Sequence, residues 1–159
     1  MNVTAVRIRR ALEEAMAALE QLAGLLADER RLLGQRRPAQ LERLAVDKQA
    51  VAAALEHADT ARQRALQEAG YKLPDEAMEQ FLRLEGASEL AALWQGFLTQ
   101  LREVRARNEA NGLAIRRSQV FISAELSLLY GQPVSADEML YDAAGGRGHR
   151  ARGRIISSA

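Results

Sequence analysis

At 159 residues and a formal net charge of +1, the chain suits a single domain and carries no overall excess of either sign. Hydrophobic residues make up 48% of it but aromatics only 4%, so the apolar content is mostly Ala and Leu, a composition that buries seams between long helices rather than a thick core. The absence of cysteine excludes disulfides and thiol chemistry, and with no signal-type apolar run in Met1–Arg10 and no stretch near the ~18 apolar residues of a membrane span, the chain reads as cytoplasmic.

The first predicted element is one long helix. Ile8, Leu12, Ala15, Leu19, Leu22, Leu26, Glu29 and Leu33 alternate at four and three residues, a heptad seam interrupted only at Glu29. Met16, Leu25 and Leu32 widen the stripe, so the helix is expected to touch more than one neighbour. Thr4 is the expected cap, Arg9–Glu13 and Arg10–Glu14 are i,i+4 pairs, and Gly34 is the expected residue just past the end. Arg30, Arg31, Arg36 and Arg37 cluster at the negative end of the helix dipole.

Pro38 restarts a helix, because proline fits a first turn. Its seam runs Leu41, Leu44, Lys48, Val51, Leu55, Ala58, Arg62 and Ala65, with two cations in it. The short connection predicts antiparallel neighbours. Gly70 ends this helix and Tyr71–Pro74 forms a loop. Asp75 is expected to cap a short third helix that reaches Glu85, with Met78, Phe81 and Leu82 inward, and Gly86 breaks it. Ser88 is expected to cap the longest helix, which runs to Tyr130. Its seam is Leu90, Trp94, Phe97, Leu101, Val104, Asn108, Asn111, Ile115, Ser118, Ile122, Glu125 and Leu129. Asn111-Gly112 is a hairpin signal between strands, but both flanks have helical period, so the helix continues through it.

After Gly131 the character changes. Gln132–Ser135 reads as a loop, Ser135–Tyr141 as a turn of helix, and the Gly- and Arg-rich stretch from Ala144 as unfolded. The expected architecture is all-α: an elongated antiparallel helical bundle or coiled coil of three long helices plus one short helix over 1–131, and a flexible basic tail over 132–159.

The polar positions in the seams are the informative ones. Glu29 and Lys48 sit where apolar groups are otherwise found, at about 10 and 17 Å from a turn centred near Gln35–Arg37, and are expected to pair. Asn108 and Asn111 share a face. They point either at solvent or into a buried polar layer that fixes register. The second reading predicts both amides facing other helices and hydrogen-bonded.

No chemistry assembles around these residues. His57 and His149 are the two histidines, no Glu-x-x-His pair occurs, and His57 reads as a surface helix residue, so no metal or other cofactor is implied. No phosphate-binding glycine loop appears, and no serine has a nearby base. The tail has four Arg (147, 150, 152, 154), but it lacks Lys and has no aromatic beyond Gly145, and the rest of the chain has no matching basic stripe beyond Arg30–Arg37. Nucleic acid is therefore not the expected partner.

Five segments in this order carry a resemblance: Leu25-Leu26-Ala27-Asp28-Glu29; Lys48; Asn108-Glu109-Ala110-Asn111-Gly112-Leu113-Ala114-Ile115; Leu126–Gly131; and Tyr141-Asp142-Ala143-Ala144-Gly145 before a basic tail. Together they resemble the FlgN family of flagellar export chaperones over nearly the whole chain. The resemblance implies a non-enzymatic cytoplasmic chaperone. Such a protein holds hook–filament junction proteins and delivers them to the flagellar type III export apparatus. It also implies substrate contact through the C-terminal part and docking at the export gate through a Tyr-x-x-x-Gly motif, matched here by Tyr141 and Gly145. The stretch Ser135–Leu140 before Tyr141 and the Gly-rich tail depart from the family pattern.

The residues favour the same kind of function independently. Ile115, Ile122, Leu126 and Leu129 form a helical stripe of the sort that receives a partner helix. Met139, Leu140, Ile155 and Ile156 add apolar islands able to order against a partner. The competing readings are a generic coiled-coil adaptor, which predicts a symmetric dimer hiding the stripe, and a nucleic-acid-associated helical protein, which predicts steep salt dependence. Stoichiometry and oligomeric state are not legible at this level.

Overall fold

The computed structural model describes residues 2–35, 37–72, 76–85 and 87–130. They form four helices: α1 (Val3–Leu33), α2 (Pro38–Glu68), α3 (Ala77–Glu85) and α4 (Ser88–Tyr130), with no strand among them. The chain divides into two compact units, residues 1–114 and 115–159, so the division falls inside α4. Asp75 and Gly86, and the expected loop and tail with Met139, Leu140, Tyr141, Gly145, Ile155 and Ile156, lie outside the described residues.

The helix ends follow local chemistry, with three corrections to the sequence reading. Asn2, not Thr4, caps α1: its Oδ1 accepts from the Thr4 amide at 2.9 Å. Gly34 closes α1 with φ of −79°, an ordinary right-handed value, so its lack of a side chain is not what stops the helix. Ser88 is the first residue of α4 rather than its cap, since the Ala87 carbonyl already accepts from Ala91 at 3.0 Å. Pro38 opens α2 as expected. At the other end Gly70 has φ of +94°, and two amides fold back, Gly70 to the Gln67 carbonyl and Tyr71 to the Leu66 carbonyl, each at 3.0 Å. This double closure satisfies carbonyls that the helix end would otherwise leave unpaired.

Within the first unit, side-chain contacts fix the directions of the helices. Arg7 Nη1 meets Glu68 Oε2 at 2.6 Å and Lys48 Nζ meets Glu29 Oε1 at 2.9 Å, so α1 and α2 are antiparallel. Arg9 reaches Glu89 rather than the expected Glu13, Gln100 reaches the Met16 carbonyl, and Asn111 reaches the Leu26 carbonyl. Those pairs ascend together, so α4 up to Ala114 runs parallel to α1. The short α3 makes the reversal at the end where α1 begins, where Asn2 Nδ2 donates to Glu85 at 2.9 Å.

The core follows the heptad seams. Ile8, Leu12, Leu19 and Leu26 of α1 are buried with Ala58, Ala65 and Leu66 of α2, Met78 and Phe81 of α3, and Leu90, Phe97 and Val104 of α4. Alanines at buried positions 11, 15 and 18 of α1 and 58 and 65 of α2 let those two backbones approach closely, while α4 meets α1 through longer side chains. Four aromatics gather where the chain reverses. Tyr71 packs edge-on to Phe81 at 5.6 Å, and Trp94 stacks on Phe97 at 5.4 Å. Arg62, a cation in the seam, is buried there because its charge is accommodated twice. Its Nε and Nη2 donate to Asp59 Oδ1 at 3.0 and 2.7 Å, and its guanidinium lies 5.0 Å from the Trp94 ring centroid.

No heavy atom lies within 4 Å of where a Cβ on Gly70 would stand, so the cost of a side chain there is purely conformational. Gly70→Ala should lower unfolding free energy by about 1–2 kcal/mol, with Gly70→Asn losing less. Urea unfolding checks this, and a wild-type midpoint for the Ala variant would contradict the left-handed closure.

Candidate protein-binding site

Among the described residues no group of three His, Asp or Glu is placed to hold a metal ion, and His57 is exposed on α2. A cavity lined by Gln63, Leu66, Gln67, Tyr71, Lys72 and Ala77 offers about 10 Å³, room for roughly one water. Glu68 is held below the ordinary carboxylate range, first by the hydrogen bond from Arg7 and then by that from Arg64. Both are surface ties between and along helices.

The most buried carboxylate among the described residues is a structural tie as well. Glu29 is 4% exposed. Its Oε1 accepts from Lys48 Nζ of α2 at 2.9 Å, and its Oε2 accepts from Asn111 Nδ2 of α4 at 2.9 Å. The same Asn111 nitrogen donates to the Leu26 carbonyl at 2.8 Å. Three helices therefore meet at one carboxylate. Asn108 is not part of this junction. It is exposed, because three residues along a helix is about 60° short of a full turn and the seam at that level is already occupied by Asn111. The expectation that both amides face neighbouring helices holds for Asn111 and fails for Asn108.

The second unit is described only by the end of α4, Ile115–Tyr130. Ile115 is half-buried, and Ile122, Leu126 and Leu129 are exposed, the last at 80%. Those four form one stripe at helical spacing. Val120, Phe121 and Leu128 are also exposed, Leu128 at 86%. With Ala124 they make a second apolar face that a reading confined to the seam does not find. Its signal was present in the sequence: positions 120, 124 and 128 repeat every four residues, and Phe121 lies beside them. Between the two faces lie Gln119 and Ser123 on one side and Ser118 and Glu125 on the other. Arg116 and Arg117 lie at the start of the second face.

The first unit is a helical bundle whose charged groups tie its helices together, and the end of α4 exposes apolar faces, a feature of surfaces that bind other proteins. Comparison with protein families matches residues 1–148 to the family described as FlgN protein. The chain belongs to the FlgN family, a family of flagellar export chaperones. Neither the curated proteins nor the solved structures contain a significant match.

The junction at Glu29 separates the two asparagines experimentally. Asn111→Leu removes a donor from a buried carboxylate oxygen and should lower stability by about 1–3 kcal/mol, whereas Asn108→Leu should stay within about 0.5 kcal/mol of wild type. A double-mutant cycle on Glu29→Ala and Asn111→Leu should show a coupling of about 1 kcal/mol or more. Equal effects of the two asparagine changes in chemical denaturation would contradict the geometry.

Proposed function

We propose that this chain is a cytoplasmic export chaperone that binds flagellar hook–filament junction proteins and hands them to the flagellar type III export apparatus. Membership of the FlgN family supports the chaperone class. The observation that carries the binding reading is the exposed stripe Ile122, Leu126 and Leu129 at the end of α4, with Ile115 about two turns before it. Its spacing matches the anchors with which one amphipathic helix holds another. Each fully buried Leu or Ile side chain contributes about 1.5–3 kcal/mol before ordering costs are subtracted. Met139, Leu140, Ile155 and Ile156 are further anchors in this reading. Tyr141 and Gly145, which match the Tyr-x-x-x-Gly pattern, serve export-gate docking rather than substrate contact.

The test uses full-length protein and a purified junction protein from the same flagellar system. Ile122→Asp and Leu126→Asp should each weaken binding at least about tenfold, because a carboxylate in a desolvated contact is unpaired. Helical content and the melting transition should stay close to wild type, since these side chains are already exposed. Tyr141→Ala should leave that binding intact and reduce export. Undiminished binding by both Asp variants, or a symmetric dimer in sedimentation that buries the stripe without any junction protein, would overturn the proposal.

A further inference from the structure

The two apolar faces at the end of α4 are too far apart for one helix to cover both. At 100° per residue the centre of Ile115, Ile122, Leu126 and Leu129 lies roughly 150° around the axis from that of Val120, Phe121, Ala124 and Leu128. A helix seated in a groove covers an apolar stripe of about 100°. We infer that residues 115–129 form the middle helix of a three-helix interface and take two helical segments of one client, the segment on the Val120–Leu128 face being acidic. This inference rests on the client-binding reading above and deepens it.

The charge on the two faces differs. Arg117 lies within the second face, one turn before Val120 and Phe121, and Arg116 lies on its edge. Both are exposed, and among the described residues neither forms an ion pair. The first face has no cation in it, and Glu125 lies between the two faces, about 40° from Leu129 and about 40° from Phe121. An occupant of the second face must bring apolar anchors against Val120, Phe121 and Leu128 and carboxylates against the two guanidiniums, which form strong charge-assisted hydrogen bonds with such groups. A second copy of this chain is the competing occupant, and the crosslinking below separates it from a client segment. A segment tethered to one already seated on the first face binds at high effective concentration, so a short second face is enough to hold it.

The absence of cysteine from the chain allows a direct test. Leu126→Cys and Leu128→Cys each supply a single thiol, one per face, for a benzophenone photo-crosslinker, and the probe is a purified junction protein from the same system. Each position should crosslink to a different segment of the probe, the Leu128 site to the more acidic one. Arg117→Glu should weaken probe binding about tenfold with an unchanged helical signal, and Arg117→Lys should recover most of the loss. Crosslinking of both sites to one segment, of the Leu128 site to a second copy of this chain, or of the Leu126 site alone overturns the inference and leaves the client-binding reading standing. Crosslinking at neither site overturns both.

Discussion

An ionised carboxylate with 4% of its residue surface in water has to be matched by donors, and the position of Glu29 constrains the rest of the bundle accordingly. Its two oxygens are met from two different helices, by Lys48 and by Asn111. The surrounding seams are Leu- and Ala-rich, and apolar contacts of that kind tolerate sliding by a heptad, because one Leu fits nearly where another did. The carboxylate does not tolerate it. A slip of α2 by one heptad sets Leu41 or Leu55 where Lys48 belongs, and a slip of α4 withdraws Asn111. Either leaves a buried charge under-partnered. Packing thus supplies most of the stabilisation, and one polar junction selects the register.

The same logic governs Arg62 at the other end of α2, but with local partners. Asp59 lies on the same helix, and the Trp94 face is supplied by α4. The charge is therefore settled mostly within α2, and the aromatic contact adds the link between helices. Lys48 and Arg62 look alike as interruptions of a heptad seam, yet one depends on a neighbouring helix and the other on its own. Their distance from an acid on their own helix face distinguishes them: Arg62 has Asp59 at i−3, whereas Lys48 faces Glu29 across the hairpin.

The helices and the first hairpin were legible because both rest on period and on short connections, which are properties of the sequence alone. The Glu29–Lys48 pair was legible because both residues broke an otherwise apolar pattern at matching distances from one turn. Asn108 and Asn111 were not separable in the sequence because a seam read at strict alternation of four and three treats every position as equally inward, while the real interface narrows where Val104 and Asn111 alone are buried. The Val120–Leu128 face was missed for a related reason: once one stripe was accepted as the seam, apolar residues off it counted as exposed side. Caps were the least legible feature. Asn2, Thr4, Ser88 and Gly34 are all residue types that suit helix ends, and their roles depend on backbone angles that composition does not specify.

The end of α4 has a different basis for its helicity from the rest of the molecule. From Arg116 to Leu129 most side chains are exposed, so packing among the described residues contributes little to holding the segment helical. Starting a helix is the unfavourable step, and extension from an existing turn is nearly neutral per residue. The portion of α4 from Leu90 to Asn111 is fixed by buried contacts and by the Glu29 junction, which supplies that start. Gly112 then weakens propagation by about 1 kcal/mol relative to alanine. The result is a helix end that forms by extension and is only weakly favoured by itself. Burial of its exposed Ile and Leu side chains against another apolar surface would add what extension lacks. Local stability therefore differs along one helix: the part up to Asn111 is fixed by the junction and the core, and the described part after Gly112 holds by extension.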